Sequence, residues 1–269
     1  MDILQATLLG VIQGLTEFLP ISSSGHLVLV SYHFNLLPED EALPLYIGIA
    51  TNTGTLLAVL VALRRDVWDA LSGFFVGLRQ REARASQGWL MALLVIVGSV
   101  PTVLIGLGLR EVFEVLNRPL YVSFALAATG VVMWFTPTSG PKKQASDLSF
   151  RDAFIGGIAQ GIAVVPGVSR SGITIATMLW RGASNDLAPR FSFLMYLVVS
   201  FGVSIIGIEE VRASEIEVFP LVVMVLTSFV TGYVALIWMF AILRKGRFRW
   251  FAPYLWAVAA FTLVRIAVT

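Results

Sequence analysis

Cysteine is absent from the sequence and charged residues are few. Each of these two features excludes some classes of protein and of binding site. The chain has 269 residues, of which none is cysteine and two are histidine. It therefore has no disulfide bond and no thiolate metal site. Charged residues make up 13% of the chain, against about 25% in an average soluble domain. A net charge of +2 is too small to indicate a nucleic-acid partner.

Hydrophobic residues, by contrast, make up 57% of the chain, and the mean hydropathy is +0.82. A chain with so little polar side chain cannot cover itself with a polar surface. Helices satisfy all their backbone hydrogen bonds internally, which is what a bilayer requires. The composition therefore predicts an all-α, polytopic integral membrane protein.

Six segments approach the roughly 20 apolar residues that a helix needs to cross a bilayer. They are residues 46–63, 89–109, 119–136, 191–208, 219–243 and 251–267. Two other regions, 3–36 and 152–182, each hold two shorter apolar arms around a polar centre rich in glycine and proline. Each of these regions is either a pair of crossing helices, which gives ten spans in total, or a re-entrant hairpin.

The loops differ strongly in charge. Basic residues gather in segments 64–88, 137–151 and 244–250, whereas 37–44 and 209–218 are mostly acidic. Lys and Arg collect on the cytoplasmic side of a membrane. With six spans and two hairpins that each return to their starting side, every basic loop lies inside and both termini lie outside.

One polar motif occurs twice. Gln13–Gly25 reads QGLTEFLPISSSG and Gln160–Gly172 reads QGIAVVPGVSRSG, so that Ser22 matches Ser169 and Ser24 matches Ser171 without a gap. Three spans follow each copy, and a unit with an odd number of spans enters the membrane inverted on its second pass. The sequence therefore predicts one integral membrane domain, 1–269, made of inverted repeats of about 1–136 and 150–269. Chance similarity between two Gly/Ser-rich patches is the alternative explanation.

The two copies differ in their charged residues. The first carries Glu17 and His26, where the second has apolar residues, and the second carries Arg170, where the first has Ser23. Fully crossing hairpins would place the two tips about 30 Å apart. Because buried charges in a membrane are costly singly, we expect re-entrant hairpins whose tips meet in one shared site.

Each motif ends at the start of a predicted helix, where serines can cap free N–H groups. Helix N-termini bind anions, phosphate above all. Two such ends, with Arg170 as a bidentate fork and Thr174 one turn beyond it, would hold a phosphate or diphosphate. The alternative for SRSG is a helix cap with an arginine that reaches the membrane surface.

Two further spacings indicate chemistry. Gln13 and Glu17 are four residues apart on one helix face, and Glu17 could bind a divalent cation or act as a base. Ser23 and His26 are three apart, and a serine beside an imidazole is a pattern of covalent catalysis. A hydrogen-bonded structural histidine is the alternative for His26, and it is the interpretation preferred for His33.

GLTEFLPISSSGH together with PGVSRSGIT resembles the undecaprenyl pyrophosphate phosphatase family, the BacA-type bacitracin-resistance proteins. The resemblance covers essentially the whole chain. It implies hydrolysis of a C55 isoprenyl diphosphate lipid to its monophosphate, a divalent cation such as Mg²⁺ or Ca²⁺, and a multi-pass bacterial plasma-membrane protein with its site open to the outer side. The residues that match the family's motifs are Glu17, Ser22, Ser23, Ser24, His26, Ser169, Arg170, Ser171 and Thr174. Many members have Glu where this chain has Gln13, so Glu17 is the expected metal ligand, with Gln13 as a second candidate.

Several alternatives stay open at this point. The nucleophile is expected to be Ser23, with direct attack by water or by His26 as alternatives. Inverted repeats with broken helices also suit a polyprenyl-phosphate flippase or an anion or lipid transporter. The oligomeric state is open, a homodimer included.

Overall fold

The protein is a bundle of α-helices in the computed structural model, which describes residues 2–34, 45–138, 142–213 and 217–268. In chain order the helices are α1 Ile3–Phe18, α2 Ser23–Phe34, α3 Leu45–Ala62, α4 Arg64–Arg79, α5 Gln87–Gly108, α6 Arg110–Leu116, α7 Pro119–Phe135, α8 Phe150–Ile162, α9 Arg170–Trp180, α10 Leu187–Ala213, α11 Val218–Arg244 and α12 Phe251–Val268. The described ranges contain no β-strand, only an isolated bridge between Lys143 and Ala183.

The six long apolar segments predicted from the sequence coincide with α3, α5, α7, α10, α11 and α12. Four of these, α5, α10, α11 and α12, are individually long and apolar enough to cross a membrane. A fifth candidate arises if α3 and α4 count as one span, although they meet at an angle of 79°. The described residues therefore form an all-α integral membrane protein with four or five candidate spans.

The two polar motifs lie at the turns of two helical hairpins, α1–α2 and α8–α9. In the first, Leu19 ends α1 in an extended conformation, which the following Pro20 favours. In the second, Gly167 has a φ of +89°, a value that glycine adopts without strain. Proline and glycine thus turn the chain at the two places where the sequence is most polar.

The first arm of each hairpin packs tightly against a helix of the other half of the chain. Helix α1 lies on α11, and α8 lies on α5. A Cβ atom on Gly10 would collide with Thr227, and one on Gly157 would collide with the carbonyl oxygen of Gly98. Small residues let helix backbones approach closely inside a membrane, and here they fix how far each hairpin reaches into the bundle.

The base of the second hairpin is held by a buried carboxylate. Asp152 is fully buried, with Lys143 Nζ 2.9 Å from Oδ2 and Arg181 Nε 2.7 Å from Oδ1. Burial by itself would raise the pKa of Asp152, but hydrogen bonds from Ser149, Lys143 and Arg181 lower it well below its usual value. The carboxylate thereby ties the start of α8 to the end of α9.

A second ionic cluster joins three helices near the same basic segments. Arg190 on α10 donates to both carboxylate oxygens of Asp66 on α4, at 2.7 and 2.6 Å. It also donates to Asp186, which accepts from Arg244 at the end of α11. The basic segments that the sequence places on one side of the membrane are therefore physically connected.

Asp152→Asn is expected to destabilise the protein by about 3–5 kcal/mol, because it removes one partner from a buried ionic group. The contribution of Asp152 is complete above its unfolded pKa of about 3.9 and is lost as the pH falls toward its lowered folded value. Thermal unfolding in detergent at pH 7 measures the loss. Asp69→Asn is the matched control, since Asp69 is exposed and no ion pair is recorded for it. Equal melting of the Asp152 variant and the wild type would contradict the assignment.

Candidate active site

The turns of the two hairpins touch each other, so the two sequence motifs form one site. Ser171 Oγ donates to the backbone carbonyl of Leu19 at 3.3 Å. A Cβ atom on Gly25 would lie 3.0 Å from Gly167 Cα, which leaves no room for a side chain between the turns. Residues far apart in the chain thereby share one small region.

Both hairpins present their second helix with the same local geometry. Ser22 Oγ accepts from Gly25 N at 3.3 Å, and Ser169 Oγ accepts from Gly172 N at 3.2 Å. These two serines therefore act as N-caps of α2 and α9. Ser22 differs in having a φ of +70°, a conformation that is uncommon for a residue with a side chain.

Glu17 is the acceptor on which the polar side chains of the site converge. Ser23 Oγ donates to Glu17 Oε2 at 2.5 Å, and Gln13 Nε2 donates to the same oxygen at 2.8 Å. Arg170 Nη1 lies 3.8 Å from Glu17 Oε1. A carboxylate in short contact with a serine hydroxyl can take its proton, which is the arrangement that a base and its nucleophile need.

His26 points away from Ser23, which differs from the contact that their spacing suggests. Its Nδ1 lies 2.8 Å from the carbonyl oxygen of Ser22, and its Nε2 lies 2.8 Å from Tyr254 Oη. A carbonyl only accepts, so in the neutral imidazole Nδ1 carries the proton and Tyr254 donates to Nε2. Ser23 is close to His26 along the chain, but the direction of the first turn of α2 turns its hydroxyl toward α1 instead.

Arg170 is positioned by a residue that sequence reasoning missed. Its guanidinium lies 5.3 Å from the centre of the Tyr196 ring, and Nη1 is 3.5 Å from Ser200 Oγ. The Tyr196 hydroxyl donates to Asn52 Oδ1 at 3.1 Å and lies 2.9 Å from Thr55 Oγ1. Tyr196 thus links the arginine to α3.

The signal that could have found Tyr196 was weak. The polar stretch ATNTGT, residues 50–55 within a predicted span, indicates that α3 contacts other polar groups inside the membrane domain. Nothing along the chain identified the partner, because Tyr196 is itself part of an apolar run on α10. Tyr254, on α12, was missed for the same reason.

The remaining predicted residues take different places around the turns. Ser24 Oγ lies 3.5 Å from Ser22 Oγ, and Ser171 Oγ lies 3.3 Å from Ser169 Oγ. Thr174 is fully buried, and within the part of the chain that the structure describes its hydroxyl has no hydrogen-bond partner. The structure therefore groups all the predicted residues at the two turns, with Thr174 one helical turn inside the second.

The donor set at Glu17 suits a hard cation that the substrate helps to bind. Within the described ranges no three His, Asp or Glu side chains come together. Glu17 offers one carboxylate, and Gln13 keeps its carbonyl oxygen because its amide nitrogen bonds Glu17. One carboxylate plus oxygens from substrate phosphates is a common way to bind Mg²⁺.

A small cavity of about 10 Å³ lies against Glu17 and Arg170. Tyr196, Ser171 and Phe193 contribute to its wall. A space of that size holds one water at most, so a diphosphate has to displace side chains to enter. A larger cavity, of about 600 Å³, lies beside α4 and the start of α5 and is lined by none of the motif residues.

Known proteins with similar sequences carry one consistent name. The family described as bacitracin resistance protein BacA matches residues 6–261. A protein of Acaryochloris marina named undecaprenyl-diphosphatase is 66% identical over 267 residues, which cover 99% of each chain. Proteins with the same name from Desulfosudis oleivorans and Korarchaeum cryptofilum are 39% and 38% identical, over 98% and 94% of this chain.

These matches extend through both hairpins and all six of the long apolar helices. The chain therefore belongs to the bacitracin resistance protein BacA family.

Proposed function

We propose that this protein is a membrane hydrolase that converts undecaprenyl diphosphate to undecaprenyl phosphate and inorganic phosphate. The Ser23–Glu17–Arg170 cluster supports the proposal, because a serine hydroxyl bonds to a carboxylate that has a guanidinium 3.8 Å away, as a nucleophile, a base and an anion-binding cation would require. The relatives named undecaprenyl-diphosphatase give the substrate. A flippase or transporter is not favoured, since a carrier needs a phosphate clamp but not a serine held against a carboxylate.

The chemistry begins at Ser23. Glu17 accepts the proton of the Ser23 hydroxyl while Oγ attacks the terminal phosphorus of the diphosphate, and undecaprenyl phosphate leaves. Water then attacks the phosphoserine, inorganic phosphate leaves and Ser23 regains its proton. The same geometry also permits an alternative, in which Glu17 activates a water molecule that attacks the phosphorus directly.

The negative charge of the phosphates is proposed to be stabilised mainly by the second hairpin, with a smaller part from the first. Arg170 and the N-terminus of α9 offer donors to the phosphate oxygens, and the N-terminus of α2 offers more from the other side. Phosphoryl transfer depends chiefly on such positioning and charge neutralisation. Thr174 is proposed to add a hydroxyl, because its buried oxygen has no hydrogen-bond partner among the described residues.

A divalent cation, Mg²⁺ or Ca²⁺, is proposed to be held by Glu17 with the carbonyl oxygen of Gln13. When bound, it would neutralise charge on the phosphates of the substrate.

His26 is proposed as a second proton carrier. Tyr254, which donates to it, is 45% exposed and connects the imidazole to the surface.

The proposed membrane arrangement has six spans, the re-entrant hairpins α1–α2 and α8–α9, and inverted repeats of about 1–136 and 150–269. It is supported by the contact between the two turns and by the ionic clusters that connect the basic segments. By the positive-inside rule those segments face the cytoplasm. Both termini and the site then face the outer side of a bacterial plasma membrane.

Glu17→Gln is expected to lower phosphate release from undecaprenyl or farnesyl diphosphate by about 10²–10⁴-fold, as for the loss of a general base. Ser23→Ala should lose at least as much if the serine is the nucleophile. Ser31→Ala, which lies on α2 like Ser23, is the control. A chelator should abolish wild-type activity, and added Mg²⁺ or Ca²⁺ should restore it. A Glu17→Gln variant with wild-type turnover would remove Glu17 from the mechanism.

Arg170→Lys is expected to reduce turnover by roughly 10³-fold, because lysine lacks the planar fork that grips phosphate. Arg151→Lys, an exposed conservative change at the base of the same hairpin, is the matched control. Steady-state kinetics in detergent measure both. Near-normal turnover in the Arg170 variant would show that a point charge is sufficient.

Leu19→Cys combined with Ser171→Cys is expected to cross-link with a short bifunctional reagent, in a chain without other thiols. Fully crossing hairpins would place these positions about 30 Å apart on opposite faces. Membrane-impermeant thiol reagents would then label one from each side and no cross-link would form. Leu19→Cys paired with Ser146→Cys, on a basic segment, is the negative control.

A further inference from the structure

Helix α4 is oriented unlike the apolar helix that precedes it. A single residue, Leu63, separates it from α3, and its axis turns by 79° from that of α3. Its other end leads, through a short turn, to the first residues of α5, which is itself a candidate span. In the proposed six-span arrangement α3 and α5 both cross the membrane, so a helix that joins them and runs nearly perpendicular to α3 lies close to the plane of the membrane surface.

The inner face of α4 is glycine-rich and packs on α5. Gly73 and Gly77 lie against Gly88 and Trp89, so closely that a Cβ on either glycine would collide with them. The packing of α4 on α5 accounts for the glycines on this face.

The opposite face carries an apolar stripe without a partner in the described residues. Trp68 is 70% exposed and Phe75 is 60% exposed. Leu71 and Leu78, between and beyond them, are also exposed, and the spacing of three, four and three residues keeps all four on one side of the helix. An exposed stripe of this kind is typical of a helix that lies in a membrane interface.

Arginines surround the stripe. Arg64 and Arg65 precede it, Arg79 and Arg81 follow it, and none of these four forms an ion pair with a described residue. The acidic residue nearest the start of the helix, Asp66, is already paired with Arg190. The exposed Asp69 and Glu82 carry two negative charges against the four positive charges of these arginines, so the surface next to the apolar stripe keeps a net positive charge, which complements anionic lipid headgroups.

We propose that α4 is an in-plane membrane helix that binds anionic phospholipids on the side of the basic segments. Trp68, Leu71, Phe75 and Leu78 enter the acyl region, and the four arginines contact headgroup phosphates. The occupant is a lipid leaflet rather than a second copy of the chain, because a flanking set of unpaired arginines matches phosphate and would repel an identical set. This inference does not depend on the proposed catalytic activity.

The depth of the helix can be measured with single thiols, since the chain has no cysteine. The full-length Phe75→Cys variant, carrying an environment-sensitive fluorophore, is reconstituted in phosphatidylcholine vesicles with and without phosphatidylglycerol. We expect blue-shifted emission that brominated lipids quench and aqueous iodide does not. Gln80→Cys, exposed just beyond the helix, is the matched control and should respond to iodide.

Headgroup preference is measured in equimolar mixtures in which either lipid is brominated. Brominated phosphatidylglycerol is expected to quench the Phe75→Cys label roughly two- to five-fold more than brominated phosphatidylcholine. Replacing Arg64, Arg65 and Arg79 by Gln should bring that ratio close to one. The control triple Lys142→Gln, Arg151→Gln and Lys245→Gln removes the same charge from exposed positions elsewhere and should keep the preference.

Three results would overturn the proposal. Iodide quenching at position 75 would place the stripe in water. Equal quenching by both lipids in the wild-type background would leave the arginines without a role in lipid selection. Resistance to lipid and iodide alike, together with cross-linking between two Phe75→Cys chains, would identify a second copy as the occupant. Monodisperse elution and unchanged melting of each variant establish that it is folded.

Discussion

Polar side chains inside an apolar bundle have to satisfy one another, and the two hairpin turns make this possible by touching. Glu17 is surrounded by the hydroxyl of Ser23, the amide of Gln13 and, at longer range, the guanidinium of Arg170. Neither turn alone provides that set, because the turn of the first hairpin has no Lys or Arg and the turn of the second has no Asp or Glu. The contact between Leu19 and Ser171 is therefore what turns two costly polar turns into one site.

The depth of each turn is set by packing at some distance from it. Glycines on α1 and α8 bring these arms onto helices of the opposite half, and the buried Asp152 fixes the base of the second hairpin. A larger side chain at Gly10 or Gly157 would move an entire arm outward. Because Glu17 lies seven residues beyond Gly10 on the same helix, such a shift would carry through to the site.

Much of this arrangement can be predicted from the sequence, because it depends on local patterns. Apolar run length located the six long helices, and the paired motifs located both turns and grouped the residues around them. The partner of Ser23 was not predictable in this way, since Glu17 and His26 both lie near it along the chain. Only the direction of the first turn of α2 decides between them, and proline and the positive φ of Ser22 determine that direction.

Contacts between distant segments could not be predicted from the sequence, for a different reason. Tyr254 and Tyr196 come from apolar helices, and their hydroxyls carry no pattern of their own. Likewise, both histidines bond to α12, His26 through Tyr254 and His33 through Thr262. These contacts, at positions about two helical turns apart, link α2 to α12, and no single segment of the sequence contains that information.

The uneven strength of the contacts around Glu17 indicates how a substrate can enter so small a space. Ser23 and Gln13 hold the carboxylate through short hydrogen bonds of 2.5 and 2.8 Å. Arg170 is bound less closely, at 3.8 Å from Glu17 and 3.5 Å from Ser200, and its side chain is one-third exposed. A diphosphate offers this arginine a stronger, bidentate partner than Glu17 does in the resting geometry. The arginine is thus the side chain that can yield to the substrate, while the serine and its base remain in place.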